Sequence, residues 1–341
     1  MTPRLKRSIE IGVSLGVVIL VFFVILPRVV DFNEVWRVLA RLTWLEATSL
    51  GLAAAWNLVT YWLLMMATLP GLTFGQAVVV TETSTAISNV LPGGPAFGMG
   101  LTYSMYSSWG FDRNSVALAI GVSGIGDLFA KLAMPAVALV FIAVYGDSSP
   151  GLILAALIGV LILGGFCAVL WMTLSSDRSA HRVGEALSRL ASPVFKLRGR
   201  PASSWGNKLA GFRHHTIALI RARWWMILGA SLLSHVSLFV VLLLTLRHVG
   251  VSEEQVGWAE ALGVFAFVRF LTAFPITPGG LGIIELGLPV ALAYAGAPRP
   301  EAVAAVLVFR ALTYLIQIPF GAITYSYWRH SRRWRGAETT V

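Results

Sequence analysis

The chain has 341 residues, 57% of them apolar and only 12% charged, with a net charge of +10 and a mean hydropathy of +0.76. A water-soluble domain carries about 25% charged residues to cover its surface, so this composition excludes a soluble enzyme and places most of the chain in lipid. Seventeen of the 26 basic residues fall at residues 4–7, 175–223 and 329–335, each cluster beside an apolar run. That is the distribution of cytoplasmic loops, and it argues against a nucleic-acid partner.

Full spans need about 20 apolar residues. They are predicted near 8–27, 45–68, 114–145, 151–174, 224–247 and 300–328, giving about six. The first follows basic residues without a small-residue cleavage pattern, so it reads as a retained anchor. Residues 31–42 place Phe32, Val35, Trp36 and Leu39 on one face of an amphipathic helix lying in the interface. Trp44, Trp224, Trp225, Trp258 and Trp328 fall near span ends, where indole rings favour the interface. The single cysteine, Cys167, allows no intrachain disulfide, and no Cys/His metal cluster or cofactor motif is visible.

Two regions do not behave as simple spans. Residues 76–91 reach Pro92-Gly93-Gly94 before a second helical piece, and residues 257–276 reach Pro278-Gly279-Gly280 before another. Proline cannot donate to the helical ladder and glycine tolerates non-helical angles, so each Pro-Gly-Gly breaks its helix. At a constant offset of 186, the two triplets coincide, Gly110 falls on Gly296, and Arg113 falls on Arg299. Each broken region precedes one long apolar helix, which reads as a repeat.

With the N-terminus, the basic loop 175–223 and the C-terminus all cytoplasmic, an even number of crossings precedes the loop. The first broken region then enters and leaves on the inner side, and the second on the outer side. The expected fold is an all-α polytopic membrane protein with an inverted repeat and two broken or re-entrant hairpins, in a single membrane domain over 1–341. Repeat 1 covers about 76–145 and repeat 2 about 257–328. The expected location is a bacterial or archaeal inner membrane, multi-pass.

Charges inside apolar spans cost roughly 2.5–3.5 kcal/mol on insertion scales, so each needs a reason. The first hairpin carries Glu82 among Thr81, Thr83, Ser84, Thr85, Ser88 and Asn89. The first long helix carries Ser123, Asp127 and Lys131, and the second carries Arg310, Thr313, Tyr314 and Gln317 on one face. Arg269 and Glu285 belong to the second hairpin. Asp127 and Lys131 can neutralise one another across one turn, and Glu285 with Arg310 can be a structural ion pair. Glu260 lies near the outer boundary, His235 reads as a hydrogen-bonded packing residue, and Asn57 as a bridge between helices.

The functional reading is that a helix restarting after a break presents free N–H groups and partial positive charge, which hold phosphates and carboxylates. Two such restarts, at Pro92-Gly93-Gly94 and Pro278-Gly279-Gly280, together with Arg269 and Arg310, suit an anionic headgroup. Glu82, Asp127 and Glu285 complete the candidate substrate site, which has no catalytic or metal-binding member.

The segment from Pro275 to Glu285, followed by Arg310-Ala311-Leu312-Thr313-Tyr314, resembles the C-terminal signature of the flippase-like lysylphosphatidylglycerol synthase transmembrane family. Asn89-Val90-Leu91-Pro92-Gly93-Gly94 and Asp127 resemble its N-terminal repeat, so the likeness covers essentially the whole chain. The resemblance implies translocation of an anionic phospholipid or a polyprenyl-linked lipid, hence a membrane-lipid partner. The chain ends at Val341, where multidomain members continue into an aminoacyl-transferase, so synthase activity is not expected. One departure stands out: members often carry Arg three residues before the Asp of the first repeat, where this chain has Gly124. The competing readings are a small-solute or ion transporter coupling protons through Glu82 or Asp127, and a non-catalytic subunit of a lipid- or glycan-modifying system. A homo-oligomer is compatible with all three.

Overall fold

The structure is a computed structural model, and it describes residues 36–37, 40–91, 93–145, 150–179, 181–186, 188, 206–273 and 278–331. The expected span at 8–27, most of the amphipathic stretch at 31–42, Pro92 and the basic tail after Ser331 lie outside the described residues. Among those described there is no strand. Ten α-helices follow in order: α1 Trp44–Thr68, α2 Phe74–Val90, α3 Gly94–Ser108, α4 Arg113–Tyr145, α5 Pro150–Ser175, α6 Gly206–His248, α7 Trp258–Leu271, α8 Leu288–Tyr294, α9 Arg299–Arg310 and α10 Gln317–His330. This is an all-α polytopic membrane fold. Among the described residues, five segments are long and apolar enough to cross a bilayer: Trp44–Thr68, Arg113–Ile142, Leu157–Ser175, Ala222–His248 and Arg299–His330.

The helix starts follow local chemistry. Thr43 and Glu46 close a capping box on α1, and Thr73 and Gln76 close another on α2. α6 differs from the expectation of a loop ending at residue 223. It is 43 residues long, about 64 Å at 1.5 Å per residue, so it exceeds the ~30 Å hydrocarbon core. Its basic first half therefore projects beyond the membrane as helix rather than loop.

The broken regions are built from shorter pieces. α2 has 17 residues and α3 has 15, about 25 and 22 Å, each less than the core thickness. α3 folds back on α2 at close range: a Cβ on Gly94 would overlap the Ser88 carbonyl, and one on Gly98 the Ser88 hydroxyl. In the second region α7 ends at Leu271, a 3₁₀ turn covers Pro278–Gly280, and a π-helical turn, Ile283–Gly287, leads into α8. A second π turn, Ala311–Leu315, joins α9 to α10 inside one apolar span.

The coincidences at an offset of 186 extend to the backbone. Gly93 and Gly279 are both left-handed, with φ 67° and 56°. α3 ends at Ser108 and α8 at Tyr294, the left-handed glycines Gly110 (φ 83°) and Gly296 (φ 113°) follow, and α4 and α9 start at Arg113 and Arg299.

Packing between distant parts is polar as well as apolar. On α1, Asn57 Nδ2 donates to the Ser234 carbonyl at 3.2 Å and to Ser237 Oγ at 2.7 Å on α6. Thr60 lies 3.1 Å from the same Ser237 hydroxyl. α10 lies along α2, where Thr83 Oγ1 and Thr324 Oγ1 are 2.9 Å apart and Gly321 admits the Glu82 backbone and Ala86. The largest apolar core joins α6, α7, α8 and α9 around Leu242, Leu246, Phe265, Leu288, Leu292 and Phe309.

Candidate functional site

Glu285 organises the second break. Its Oε1 accepts from Arg310 Nε at 2.7 Å, and its Oε2 accepts from the Gly282 backbone N–H at 2.8 Å. Both side chains are buried, at 1% and 9% exposure. Arg310 Nη2 reaches the Gly279 carbonyl at 3.3 Å, and its guanidinium carbon sits 3.9 Å from the centre of the Tyr314 ring. Glu285 lies within one π turn and Arg310 caps the other, a distortion common where helices carry function.

The two breaks meet. Tyr314 Oη donates to the Asn89 carbonyl at 2.7 Å, tying the end of α2 to the last span. A Cβ on Gly279 would strike the Tyr314 ring and come within 2.9 Å of Asn89 Oδ1, so this left-handed position has room only for glycine.

Between the breaks lies a cavity of about 270 Å³. Asn57 and Tyr61 line it from α1, Thr85 and Asn89 from α2, and Lys131 from α4. α7 supplies Phe265, Val268 and Arg269, the break supplies Gly279 and Gly280, and the last span supplies Arg310, Thr313, Tyr314 and Gln317. Three cationic side chains line the space and no carboxylate does. Arg269 Nε makes no hydrogen bond. Arg310 is neutralised from behind by Glu285, and Lys131 Nζ by Asp127 Oδ2 at 2.6 Å.

The other face of α7 borders a second, apolar space of about 610 Å³ between α4, α5, α7 and α8, with Pro135, Ile142, Gly159, Gly263, Phe267 and Tyr294 on its walls. Its one charged wall residue, Glu260, caps the start of α7 by accepting from Gly257 N–H at 3.0 Å. α7 thus divides a polar chamber from an apolar groove.

Of the residues the sequence nominated, Arg269, Arg310, Gly279 and Gly280 are on the cavity wall. Glu285 and Asp127 stand one layer behind, each holding a cation that lines it. Glu82 is fully buried elsewhere, where Trp62 Nε1 donates to its Oε1 at 2.7 Å and Oε2 has no hydrogen-bond partner. Gly93 and Gly94 shape the α2–α3 turn and are not themselves on the wall, although the adjoining Pro95 is; of Pro278 only the backbone is described, and Pro92 lies outside the described residues.

At both restarts some of the N–H groups expected to be free are already taken. The Gly282 amide is taken by Glu285, while Gly94 and Ala96 donate to the Leu91 and Gly93 carbonyls. The chain's own acceptors close these amides first, because a buried N–H left unpaired is costly.

Lys131, Asn57, Tyr61 and Asn89 complete a wall that the sequence did not assemble. Asn57 and Tyr61 share one face of α1 at i, i+4 spacing, a faint sign inside an apolar run. The stripe Arg310, Thr313, Tyr314 and Gln317 was readable, and all four face the cavity. Among the described residues no group of His, Cys, Asp and Glu is placed to hold a metal.

No curated protein and no solved structure matches the chain. A buried cationic chamber at two helix breaks, inside an all-α membrane fold, accords with the likeness of its motifs. A family model described as lysylphosphatidylglycerol synthase TM region matches residues 9–321, and the chain belongs to that family.

Proposed function

We propose that this protein moves an anionic phospholipid or a polyprenyl-linked lipid between the leaflets of an inner membrane, rather than making or breaking bonds in it. The observation that carries the reading is the cavity wall: Lys131, Arg269 and Arg310 with no carboxylate among the lining residues. Glu285 and Asp127 offset two of these cations from behind, but the N–H donors and the charge of Arg269 face the space, and in a low-dielectric site such a wall favours a phosphate-bearing group over a cation or a neutral solute. The apolar groove behind α7 supplies a neighbouring surface of the kind a hydrocarbon chain needs. The matching left-handed glycines and helix starts at an offset of 186 support a repeat of about 76–145 on about 257–328. The charge distribution supports opposite orientation of the two halves and cytoplasmic termini. Arms shorter than the core support re-entrant hairpins.

The test is reconstitution of the full chain into liposomes carrying trace fluorescent phosphatidylglycerol or a labelled prenyl phosphate, with membrane-impermeant quenching of the outer leaflet. Wild-type protein should raise the quenchable fraction of one of them above the half expected without transport. Arg269→Gln should slow exchange at least tenfold while leaving thermal stability near wild type. Wild-type rates in both Arg269→Gln and a stably folded Arg310→Gln variant would sink the headgroup site.

A further inference from the structure

We propose that Asp127 and His235 form a binding site for one proton, whose occupancy sets how much positive charge Lys131 presents to the headgroup cavity. The proposal rests on the reading that this cavity takes an anionic lipid, and it adds a coupling ion to it.

The hydrogen-bond chemistry of His235 carries the inference. The ring is buried on α6, at 3% exposure, and its Nδ1 lies 2.9 Å from the Ser231 carbonyl oxygen. A carbonyl only accepts, so Nδ1 bears the hydrogen, and the neutral ring turns a lone pair outward at Nε2. Nε2 is buried without a hydrogen-bond partner, and Asp127 Oδ1 lies 3.6 Å away on α4. A lone pair facing a carboxylate oxygen gains nothing. One added proton on either atom makes them donor and acceptor, and closing the gap by a few tenths of an ångström completes the bond.

The second carboxylate oxygen gives this proton a consequence. Oδ2 of Asp127 holds Lys131 Nζ at 2.6 Å, and Lys131 is on the cavity wall. With the pair unprotonated, Asp127 cancels Lys131, and among the described residues Arg269 on α7 is the uncancelled cation acting on it. With the proton bound, the local charge rises by one and Lys131 is shared with the cavity. The other polar groups facing the pair are Arg269, which acts electrostatically on Asp127, Lys131 and His235, and neutral Tyr61 on α1. Helices α3 and α5, which also pack on α4, contain no charged residue.

Among the described residues Asp127 is 40% exposed, and nothing stands within 4 Å of where a Cβ on Gly124, one turn earlier, would be, so Asp127 is the open member of the pair and His235 the enclosed one.

Linkage then sets the sign. An anionic ligand favours the protonated pair, so its affinity rises as pH falls through the titration range, and its binding takes up a proton. The experiment uses the full chain in nanodiscs of neutral lipid, titrated with short-chain phosphatidylglycerol between about pH 5 and 8.5, where the phosphodiester keeps its single charge. Wild-type Kd should fall by up to about tenfold per unit of decreasing pH, then level off. Binding heats in buffers of different ionisation enthalpy should report about one proton taken up. His235→Gln and the isosteric Asp127→Asn should both flatten the dependence.

A flat wild-type profile with measurable binding, or an unchanged slope in folded His235→Gln, would overturn the proposal. Nitrogen-15 histidine spectra of the ligand-free protein give an independent readout. The resonance lost in His235→Gln should titrate from an Nδ1–H tautomer, with its midpoint displaced in Asp127→Asn. Failure of His235 to titrate in this range overturns the proton site. Titration without lipid binding at any pH supports the proton site and overturns the lipid reading instead.

Discussion

Arg310 and Glu285 form a buried ion pair, Nε to Oε1 at 2.7 Å, between the last span and the segment that restarts after the second break. The same carboxylate caps that restart through Gly282, so one side chain fixes both the cation on the cavity wall and the backbone beside it. Removing one partner of such a pair costs about 3–5 kcal/mol, because the other is left buried and charged. Glu285→Ala should therefore lower the melting temperature in detergent more than any single substitution of a cavity-lining neutral residue. Glu285→Ala combined with Arg310→Met should recover part of the loss, measured by the same melting curves.

Gly279 tests the close approach of the two breaks. Gly279→Ala places a methyl group into the Tyr314 ring and against Asn89 in a left-handed backbone, so it should destabilise by more than about 1 kcal/mol. Gly124→Ala is the control, since its α-carbon faces open space in a helical region. It should be neutral or slightly stabilising. Paired unfolding curves of the two variants check the contrast.

Tyr314→Phe removes the hydroxyl that bonds the Asn89 carbonyl while keeping the ring under Arg310. The expected cost is about 1–1.5 kcal/mol. Hydrogen–deuterium exchange should rise in the turn around residues 89–96 and leave α6 unchanged.

A cross-link tests the packing of the first hairpin against the last helix. In a Cys167→Ala background, which removes the chain's one native cysteine, Thr83→Cys with Thr324→Cys should oxidise readily, because the two hydroxyls are 2.9 Å apart. Thr83→Cys with Ser326→Cys should not, since the exposed Ser326 turns its hydroxyl to the Ala322 carbonyl of its own helix. Mobility shifts on non-reducing gels read the outcome.

Features written in local chemistry were legible in the sequence. Proline and glycine state where a helix stops, so both breaks were readable, and the spacing of Arg310, Thr313, Tyr314 and Gln317 states a shared face. Asn57 as a bridge between helices followed from a lone amide in an apolar span. What the sequence did not state depends on partners far along the chain. The spacing of elements names Arg310 as a partner for Glu285, but not the Gly282 amide on its other oxygen. The π turns at Ile283–Gly287 and Ala311–Leu315 have no compositional mark, because they arise from packing. The pairing of Asp127 with Lys131 is readable from their four-residue spacing, whereas His235 beside Asp127 and Trp62 beside Glu82 come from the fold alone.

The contact between α2 and α10 also bears on how the protein is made. Thr83 and Thr324 are 241 residues apart, yet each is the other's buried partner, and the same interface covers the backbone at Glu82. At about 5–20 residues per second, the ribosome takes roughly 12–50 s to deliver the second member after the first. Throughout that interval the polar face of α2 sits at the membrane without its final cover. A nascent chain truncated before α10 should remain dependent on an insertase or a membrane chaperone, while extension through His330 should release it.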